Sequence, residues 1–482
     1  RSLHVFWHND TTIIIRDENP ERKGMGAKQR IYTAGVLYYT VLKLRTDFRK
    51  ERQEDVMERN DPRYQAYVEI LKEELIPAMG CTEPIALAYA AAKAREVLGV
   101  LPDSVQLQVS GSIIKNVKSV IVPNTGHLKG MEAAVAAGII AGSAEKELEV
   151  ISEVSEEKKS AIRDYLQTVP ITIEHTEQGH VFDIVVTERC GQDYARVRIA
   201  DYHTNICRIE KNGTVLYEVP LLDETVQEDA RADRSLLNMQ DIWDFAETAD
   251  LRDVADLLER QIRYNNAIAE EGLLGDYGAN IGRVLLTTYG NDVSNRAKAK
   301  AAAGSDARMN GCELPVIINS GSGNQGITCS VPLIEYAKEL HSGKEKLYRA
   351  LIISNLVAIH EKTGIGTLSA YCGAVSAGAG AGAGIVYLCG DGYQAAIHTV
   401  VNALAIVSGI VCDGAKASCA AKIASSVDAA LLGYNMYKCN QEFKGGDGIV
   451  MKDIETTIKG IGRLGKDGMR QTNEEIIRLM MS

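Results

Sequence analysis

The spacing of apolar and polar residues gives the chain two regions of different character. Between about Asp61 and Leu222, amphipathic stretches alternate with short runs rich in Val and Ile. Apolar residues at intervals of three and four predict helices over 64–79, 85–98, 129–142 and 153–167. Alternating patterns predict strands over 105–111, 118–123, 171–177, 181–188, 195–202 and 207–219. Asn212-Gly213 inside the last run is a strong hairpin signal. This region is therefore predicted to be an α+β domain, 61–222.

From 223 to 482 the pattern changes to helices of Ala, Leu and Ile with almost no strand signal. Glycine-rich or polar loops interrupt these helices at 305–309, 319–328, 412–419 and 444–450. The predicted architecture is an α+β N-terminal domain followed by an all-α, glycine- and alanine-rich helical domain.

Residues 1–56 show no sustained period and differ from the rest of the chain. The codons of Gln53, Glu54 and Asp55 could read as a ribosome-binding sequence just before Met57. We therefore expect residues 1–56 to be a non-native leader or an unrelated extension, with Met57 as the natural start. The alternative is a genuine, partly disordered arm.

The uncharged stretch Ile365 to Gly390 superficially resembles a membrane span. Its residues are mostly Gly, Ala and Ser, with few of the large apolar residues that drive insertion into a bilayer. Small residues on every face favour a helix buried at the centre of a helical bundle. We therefore predict burial within the protein and no membrane partner.

Charge and cysteine content narrow the functional classes further. The formal net charge is -11, from 53 basic and 64 acidic residues, and no basic cluster with interleaved aromatics occurs, which argues against nucleic acid as a partner. Ten cysteines in 482 residues are too sparse for a disulfide scaffold. The N-terminus lacks the pattern of a signal peptide. We expect a cytoplasmic protein whose grouped cysteines are ligands or reactive thiols.

Cys81 lies directly before a predicted helix, in the stretch GCTEPIALAYAAAKAR. Thr82 can cap that helix, Glu83 suits its positive end, and Pro84 is tolerated in its first turn. A thiol at a helix N-terminus is expected to have a lowered pKa, which makes the thiolate available as a base, nucleophile or ligand. An exposed inert thiol is the alternative.

Cys372, Cys412 and Cys419 each lie at a break between helical runs. Asp413-Gly414 predicts a turn that would fold Cys419 back toward Cys412. The C-x6-C spacing is a weak metal signal, because zinc sites prefer closer pairs. Three thiolates would leave one iron of a cubane cluster open as a Lewis acid. The spacing alone is compatible with a bound cluster and with three buried thiols that bind no metal.

The segment NSGSGNQGIT, 319–328, places three glycines among short polar side chains ahead of a predicted helix. Its exposed amides would suit an anion such as a carboxylate, although it matches neither a dinucleotide fingerprint nor a P-loop. Arg308 is a candidate partner for the same carboxylate, and His203 could add a polar contact. A flexible helix connector and a surface arginine are the structural alternatives.

Several motifs together resemble the L-cysteine desulfidase family, which is related to the iron–sulfur-dependent L-serine dehydratases. The motifs are GCTEPIALA, HTNICRIE, SDARMNG, NSGSGNQGIT, VCDGAKASCA and GIVMKDIE. They occur in family order, and the similarity runs from about Arg63 to Met481 but not into residues 1–56.

The resemblance implies a lyase that works without pyridoxal phosphate. It would convert L-cysteine to pyruvate, ammonia and hydrogen sulfide on a 4Fe-4S cluster held by Cys372, Cys412 and Cys419. Cys81 stands where the related serine dehydratases carry a histidine followed by threonine, which implies a proton-abstracting base. A competing scheme makes Cys81, Cys372 and Cys412 the ligands and leaves Cys419 spare.

The substrate-binding residues expected from the motifs are Thr82, His203, Arg308, Asn319, Ser320, Ser322, Asn324 and Gln325. The rival functions are an L-serine dehydratase using the same cluster and a non-catalytic iron–sulfur or thiol sensor. The expected partner is a small amino acid, and a homo-oligomer is left open.

Overall fold

The computed structural model describes the backbone of residues 3–9, 12–17 and 30–33, and residues 57–176, 180–221, 232–366 and 368–481. Contacts divide the chain into two compact units, Arg1–Glu58 and Arg59–Ser482. The first unit contains strands β1 Leu3–Asn9, β2 Thr12–Asp17 and β3 Arg30–Thr33. These pair antiparallel in the order β1-β2-β3. The status of residues 1–56 as a leader or extension stays a prediction, as do the proposed domain boundaries.

The second unit is a mixed sheet region followed by a large helical region, which confirms the predicted fold class. Its strands are β4 Pro77–Met79, β5 Ser104–Ser110, β6 Ile171–Thr176, β7 Asp183–Cys190, β8 Asp193–Ala200, β9 Ile206–Lys211, β10 Thr214–Glu218 and β11 Pro315–Ile317. Its α-helices are α1 Pro62–Glu74, α2 Thr82–Leu98, α3 Gly111–Val117, α4 Gly130–Ala141, α5 Glu156–Thr168, α6 Met239–Thr248, α7 Ala255–Leu274, α8 Ile281–Tyr289, α9 Val293–Met309, α10 Gly323–Glu339, α11 Lys344–Ile365, α12 Gly373–Cys389, α13 Tyr393–Val407, α14 Cys419–Lys438, α15 Ile454–Arg463 and α16 Arg470–Met481.

Six strands form one sheet in the order β10-β9-β8-β7-β5-β6. Only β5 and β6 are parallel, with Val105 opposite Ile171, and the other neighbours are antiparallel. The β9–β10 hairpin turns at Asn212-Gly213, where φ is 49° and 80°, as the sequence predicts. Helix α2 packs against β7 and β8, so the sheet supports the helix that begins beside Cys81.

Helix α2 is also fixed by a close approach to α4. A Cβ atom at Gly138 would lie 2.1 Å from the Ala88 carbonyl oxygen, so only glycine allows the two helices to come this near. The side chains of Ile85, Leu87 and the alanines of α2 are buried. The start of α2 is therefore held rigidly between the sheet and α4.

Helix α12 occupies the centre of the helical region, as the Gly/Ala-rich stretch predicts. Its residues from Ala374 to Val386 are buried, and it packs against α10, α11, α13 and α14. Within the described residues, no helix is long and apolar enough to cross a membrane.

Several local predictions differ from the structure. The loop predicted over 319–328 is helical from Gly323, where α10 begins. Residues 118–123 form no strand beyond an isolated bridge between Ile121 and Lys129. The segment 305–309 is the last turn and a half of α9 and not a loop, because its Ala-rich helix continues to Met309. The helix predicted over 64–79 ends at Glu74, since Pro77–Met79 pairs with β11 as a strand.

Candidate functional site

Cys81 is the N-cap residue of α2, in extended conformation with φ -77° and ψ 133°. The turn into the helix needs Gly80, whose φ is +57° and whose Cα packs against Pro123. Pro84 lies in the first turn, where a missing amide N–H costs no helical hydrogen bond. The Cys81 side chain is buried, and its Sγ donates a hydrogen bond to Glu83 Oε2 at 2.9 Å.

Glu83 is the centre of a buried polar group at this helix end. Its carboxylate accepts hydrogen bonds from Thr82 Oγ1 at 3.2 Å and from Asn116 Nδ2 at 3.1 Å. His203 Nε2 lies 4.0 Å from Glu83 Oε1, too far for a hydrogen bond but close enough for charge interaction. Burial raises the pKa of Glu83, but His203 and the Cys81 thiol outweigh it and bring that pKa to about 2. Glu83 is therefore an ionised carboxylate.

The thiol of Cys81 differs from the expectation of a lowered pKa. Burial and the Glu83 carboxylate raise the pKa of Cys81 well above its ordinary value, while the Arg308 guanidinium acts in the opposite direction. The helix-end argument fails here because the thiol is enclosed and faces a negative charge. Cys81 therefore lies in the site as a neutral thiol whose proton points at Glu83.

The turn at 319–322 contacts this group directly. Asn319 and Ser322 exchange backbone hydrogen bonds of 3.1 and 3.0 Å around Ser320 and Gly321, whose φ angles are 48° and 74°. Thr82 Oγ1 donates to the Gly321 carbonyl oxygen at 3.0 Å. A Cβ on Gly321 would lie 3.1 Å from the His203 ring, so the two are in close contact.

The polar side chains of this turn have different surroundings. The buried amide of Asn319 donates to Asn355, and its Oδ1 accepts from the Ser320 hydroxyl at 2.9 Å. Ser322 is the N-cap residue of α10, but its hydroxyl makes no capping hydrogen bond. Asn319 thus stabilises the turn, whereas the Ser322 hydroxyl is not used in capping.

Arg308, near the end of α9, reaches the start of α10. It is 3% exposed, its Nη1 donates to Asn324 Oδ1 at 3.1 Å, and its guanidinium packs so closely on Gly323 that a Cβ there would lie 2.3 Å from Nε. Burial lowers the pKa of Arg308, and the acidic groups around it favour its charged form. Those groups are Cys81, Glu83 and Cys419.

Gln325, in the first turn of α10, contacts the segment that carries Cys372. It is buried, and its Oε1 lacks a hydrogen-bond partner among the described residues. A Cβ on Gly373 would lie 2.5 Å from the Gln325 side chain, so Gln325 lies directly against the residue after Cys372. The α10 N-terminus therefore contacts the N-terminus of α12.

The backbone brings Cys372 and Cys412 together. Tyr371 and Val411 form an antiparallel bridge, with hydrogen bonds from Cys372 N to Ile410 O at 3.1 Å and from Cys412 N to Ala370 O at 2.6 Å. Cys372 is the N-cap residue of α12. The two thiols therefore belong to neighbouring segments at one end of the helical region.

The Asp413-Gly414 turn, which the sequence predicts, brings Cys419 back to the end of the helical region that carries Cys372 and Cys412. The Sγ of Cys419 lies 3.6 Å from the Gly414 carbonyl oxygen, and Cys419 begins α14. Burial and the Cys412 thiol raise the pKa of Cys372 to about 12, and Cys419 contributes in the same direction. The three thiols therefore lie at the same end of the helical region.

The donor set fits an iron–sulfur cluster in its chemistry. Among the described residues, no group of three or more His, Cys, Asp or Glu side chains could hold a single metal ion. A cubane cluster is larger than one ion and takes its cysteines on separate irons, and thiolates are its usual ligands. Lys362 supplies positive charge beside Cys372 and Cys412, and burial lowers its pKa to about 8.

The structure thus places the predicted residues in segments that contact one another, and it adds others; their roles stay predictions. Glu83 was recognised in the sequence only as a residue that suits a helix end, and its place as the acceptor for Cys81 was missed. Lys115 and Asn116 were also missed. A lysine within the apolar segment GSIIKNV was the available signal, because lysine is rarely buried without a specific reason.

Comparison with known proteins places the chain among enzymes. Residues 145–478 match the family model described as serine dehydratase alpha chain. The chain belongs to this family. It is also 61% identical over 426 residues to a UPF0597 protein of Desulfitobacterium hafniense, covering 88% of this chain and 99% of that protein.

Other relatives are as fully covered. A UPF0597 protein of Lachnoclostridium phytofermentans is 52% identical, over 87% of this chain and all of the relative, and one of Treponema denticola is 47% identical, over 87% and 98%. The serine dehydratase alpha chain family is associated with iron–sulfur dehydratases, so the family indicates a lyase-type enzyme.

Proposed function

We propose that the chain is an iron–sulfur-dependent lyase that eliminates hydrogen sulfide from L-cysteine and yields pyruvate and ammonia. The observation that carries the proposal is the position of Arg308. Its guanidinium is buried against Gly323 at the start of α10, and the acidic groups that act on its charge are Cys81, Glu83 and Cys419. A candidate base and one candidate cluster ligand therefore lie near the same buried guanidinium.

Cys372, Cys412 and Cys419 would hold the cluster. A 4Fe-4S cluster with three cysteine ligands keeps one iron open and so supplies a Lewis acid for the departing sulfur. We also propose a reducing, cytoplasmic setting, as expected from the cysteine content.

Cys81, at the start of α2, would remove the α-proton of the substrate. The Cys81 thiol donates a hydrogen bond to Glu83 Oε2, and the positive charge of Arg308 favours the thiolate against the effect of burial and of the Glu83 carboxylate. That thiolate would then take the proton from the substrate α-carbon. The β carbon–sulfur bond breaks as this proton leaves, and the aminoacrylate formed becomes an imine that water hydrolyses to pyruvate and ammonia.

The other motif residues would bind the substrate. Arg308 and the turn at 319–322 would orient it, with Ser320, Ser322 and Asn324 as polar contacts. Thr82 and His203 contact this turn, and Gln325 lies against Gly373, the residue after Cys372. The single bound partner proposed is a small amino acid.

The test is anaerobic purification followed by iron and sulfide analysis and a pyruvate assay with L-cysteine. We expect about four irons per chain and production of pyruvate and hydrogen sulfide in equal amounts. Cys81→Ser should keep the cluster absorbance and lose turnover by about 10²–10⁴-fold, as expected for removal of a general base. Cys419→Ser should lose both. Retained cluster absorbance in Cys419→Ser would overturn the assignment of the three ligands in favour of the scheme with Cys81 as a ligand.

A second candidate is an L-serine dehydratase on the same cluster, and the family match favours it. The leaving group would then be hydroxide in place of hydrosulfide. Comparison of kcat/KM for L-cysteine and L-serine on the same anaerobic enzyme separates the two. A higher value for L-serine would assign the enzyme to the second candidate.

A further inference from the structure

Lys115 is a buried cation that the proposed chemistry does not use. It lies in α3 and is 1% exposed. Its Nζ donates to Asn473 Oδ1 at 2.6 Å and lies 3.5 Å from the Leu368 carbonyl oxygen. Both acceptors are neutral, and among the described residues no carboxylate oxygen lies within 4.0 Å of this ammonium group. Among the described residues, Lys115 therefore has no side chain of opposite charge in contact with its ammonium group.

The charged groups around Lys115 show what kind of ligand it faces. Burial disfavours its charged form, and Cys412, Glu83 and Asp413 favour it, whereas Lys416 acts against it. Glu83 belongs to the α2 end of the site, and Cys412 belongs to the cysteine end. The geometry agrees with this, because the next residue, Asn116, donates to Glu83 Oε1 at 3.1 Å, and Gly414, two residues after Cys412, packs on the Lys115 backbone.

The position of Lys115 is fixed by the backbone and by the C-terminal helix. Gly414, with φ +91°, packs so closely on α3 that a Cβ there would lie 2.1 Å from the Lys115 carbonyl oxygen. Asn473 on α16 orients the ammonium group from the other side. The flexible side chain of Lys115 is therefore fixed in one conformation. Burial of a charged group costs free energy, and a lysine that is buried in spite of this cost is characteristic of a binding group.

We propose that Lys115 binds the α-carboxylate of the amino-acid substrate. The proposal rests on the function proposed above, in which the α-carbon lies between Cys81 and the cysteine end. A carboxylate attached to that carbon would reach the region between Glu83 and Cys412, where Lys115 lies. An ammonium–carboxylate contact supplies the missing counter-charge and is stronger than a contact between neutral groups. Arg308 would hold the substrate from the α10 side.

The opposing interpretation is that Lys115 only balances the charge of the cysteine thiolates. Lys362 offers a matched control for this, because its Nζ donates to the Gly366 carbonyl oxygen at 2.5 Å and it faces Cys412 and Cys372. Both lysines are thus close to the thiols, but Glu83 is among the charges acting on Lys115 and not among the main ones acting on Lys362.

The experiment compares Lys115→Met and Lys362→Met in the anaerobic, iron-loaded protein. Binding of L-alanine, which keeps the carboxylate and lacks a leaving group, is measured by calorimetry beside cysteamine, which lacks the carboxylate. We expect Lys115→Met to keep its iron and to weaken L-alanine binding at least about tenfold, because a charge-assisted hydrogen bond is lost. Cysteamine binding should change less than about twofold. At equal iron content, Lys362→Met should weaken L-alanine binding less than Lys115→Met does.

Two further variants keep the test decisive. Lys115→Arg retains the charge and should restore part of the L-alanine affinity. Asn473→Ala leaves the lysine in place without its orienting contact and should weaken L-alanine binding several-fold even where Lys115→Met fails to fold. Unchanged L-alanine binding in both Lys115→Met and Asn473→Ala, or iron loss in Lys115→Met with normal binding, would overturn the proposal. Binding of L-alanine is measured without turnover. The binding result can therefore be interpreted even if the enzyme does not react with L-cysteine.

Discussion

Cys81 shows how strongly a residue's chemistry depends on what encloses it. The sequence places its thiol at a helix N-terminus, where dipole and amide groups favour a thiolate. In the folded chain the thiol is 3% exposed and donates to Glu83, so burial and a negative neighbour dominate. The thiolate must then be generated within the site, with Glu83 and Arg308 acting on it in opposite directions.

Glu83→Gln is expected to lower the pKa of the Cys81 thiol. The carboxylate disfavours a second negative charge beside it, and a neutral amide would remove that repulsion. The rate of Cys81 alkylation by iodoacetamide in the iron-free protein, followed by peptide mass spectrometry, should therefore reach half its maximum at a lower pH. Glu96→Gln, at the exposed end of the same helix, is the control and should leave the midpoint where it is. A midpoint that stays or rises in Glu83→Gln would show that the carboxylate does not govern the thiol.

The residues of this site were predictable to different degrees. The order Cys-Thr-Glu-Pro indicates a helix start, and α2 does begin at Thr82. The acceptor role of Glu83 was not predictable, because it depends on Asn116 and His203 arriving from elsewhere in the chain. The inward-facing amide of Asn319 likewise depends on Asn355, 36 residues away.

At the scale of elements, α12 explains why a stretch of Gly, Ala and Ser lies at the centre of the bundle. Each of its alternate glycines faces a different neighbour at a distance that leaves no room for a Cβ atom. The nearest atoms belong to Ser426 of α14 for Gly378, Ser354 of α11 for Gly380, Ala430 of α14 for Gly382 and Leu333 of α10 for Gly384. The helix that carries Cys372 at its start is therefore fixed on three sides.

Gly380→Ala is expected to destabilise the protein. The new Cβ would lie 2.4 Å from the Ser354 backbone oxygen, which cannot rotate away. Overpacking of this kind costs about 1–3 kcal/mol, whereas the better helix propensity of alanine returns only about 1 kcal/mol. Urea unfolding should show a net loss in free energy of unfolding. Gly409→Ala is the control, because no atom lies within 4 Å of its Cβ position, and it should change the free energy of unfolding by less than about 0.5 kcal/mol. Equal stability of Gly380→Ala and the parent protein would show that α11 and α12 can separate at little cost.

Over the whole molecule, periodicity was enough to predict the sheet region, the central helix and the order of the two. Its failures lie where long-range contacts decide the local structure. Residues 77–79 read as the end of a helix, but they form a strand because Pro315–Ile317 supplies a pairing edge. The 305–309 segment read as a loop because its polar residues suggested one, although Ser305, Asp306 and Arg308 are buried helical residues that face the site and α8.

Removal of the proposed cluster is expected to lower the melting temperature without unfolding the helices. The contacts that place the cysteines are made by the protein itself, through the Tyr371–Val411 bridge and the glycines of α12. A bound cluster stabilises the folded chain only by mass action, so its loss should shift the transition by a few degrees. Far-UV circular dichroism of anaerobic protein before and after chelator treatment should show the same helical signal, with the melting curve displaced downward. A variant with Ser at 372, 412 and 419 should melt with the chelator-treated protein and show no response to chelator. Loss of the helical signal on iron removal would mean that the cluster, and not the glycine contacts of α12, organises this end of the molecule.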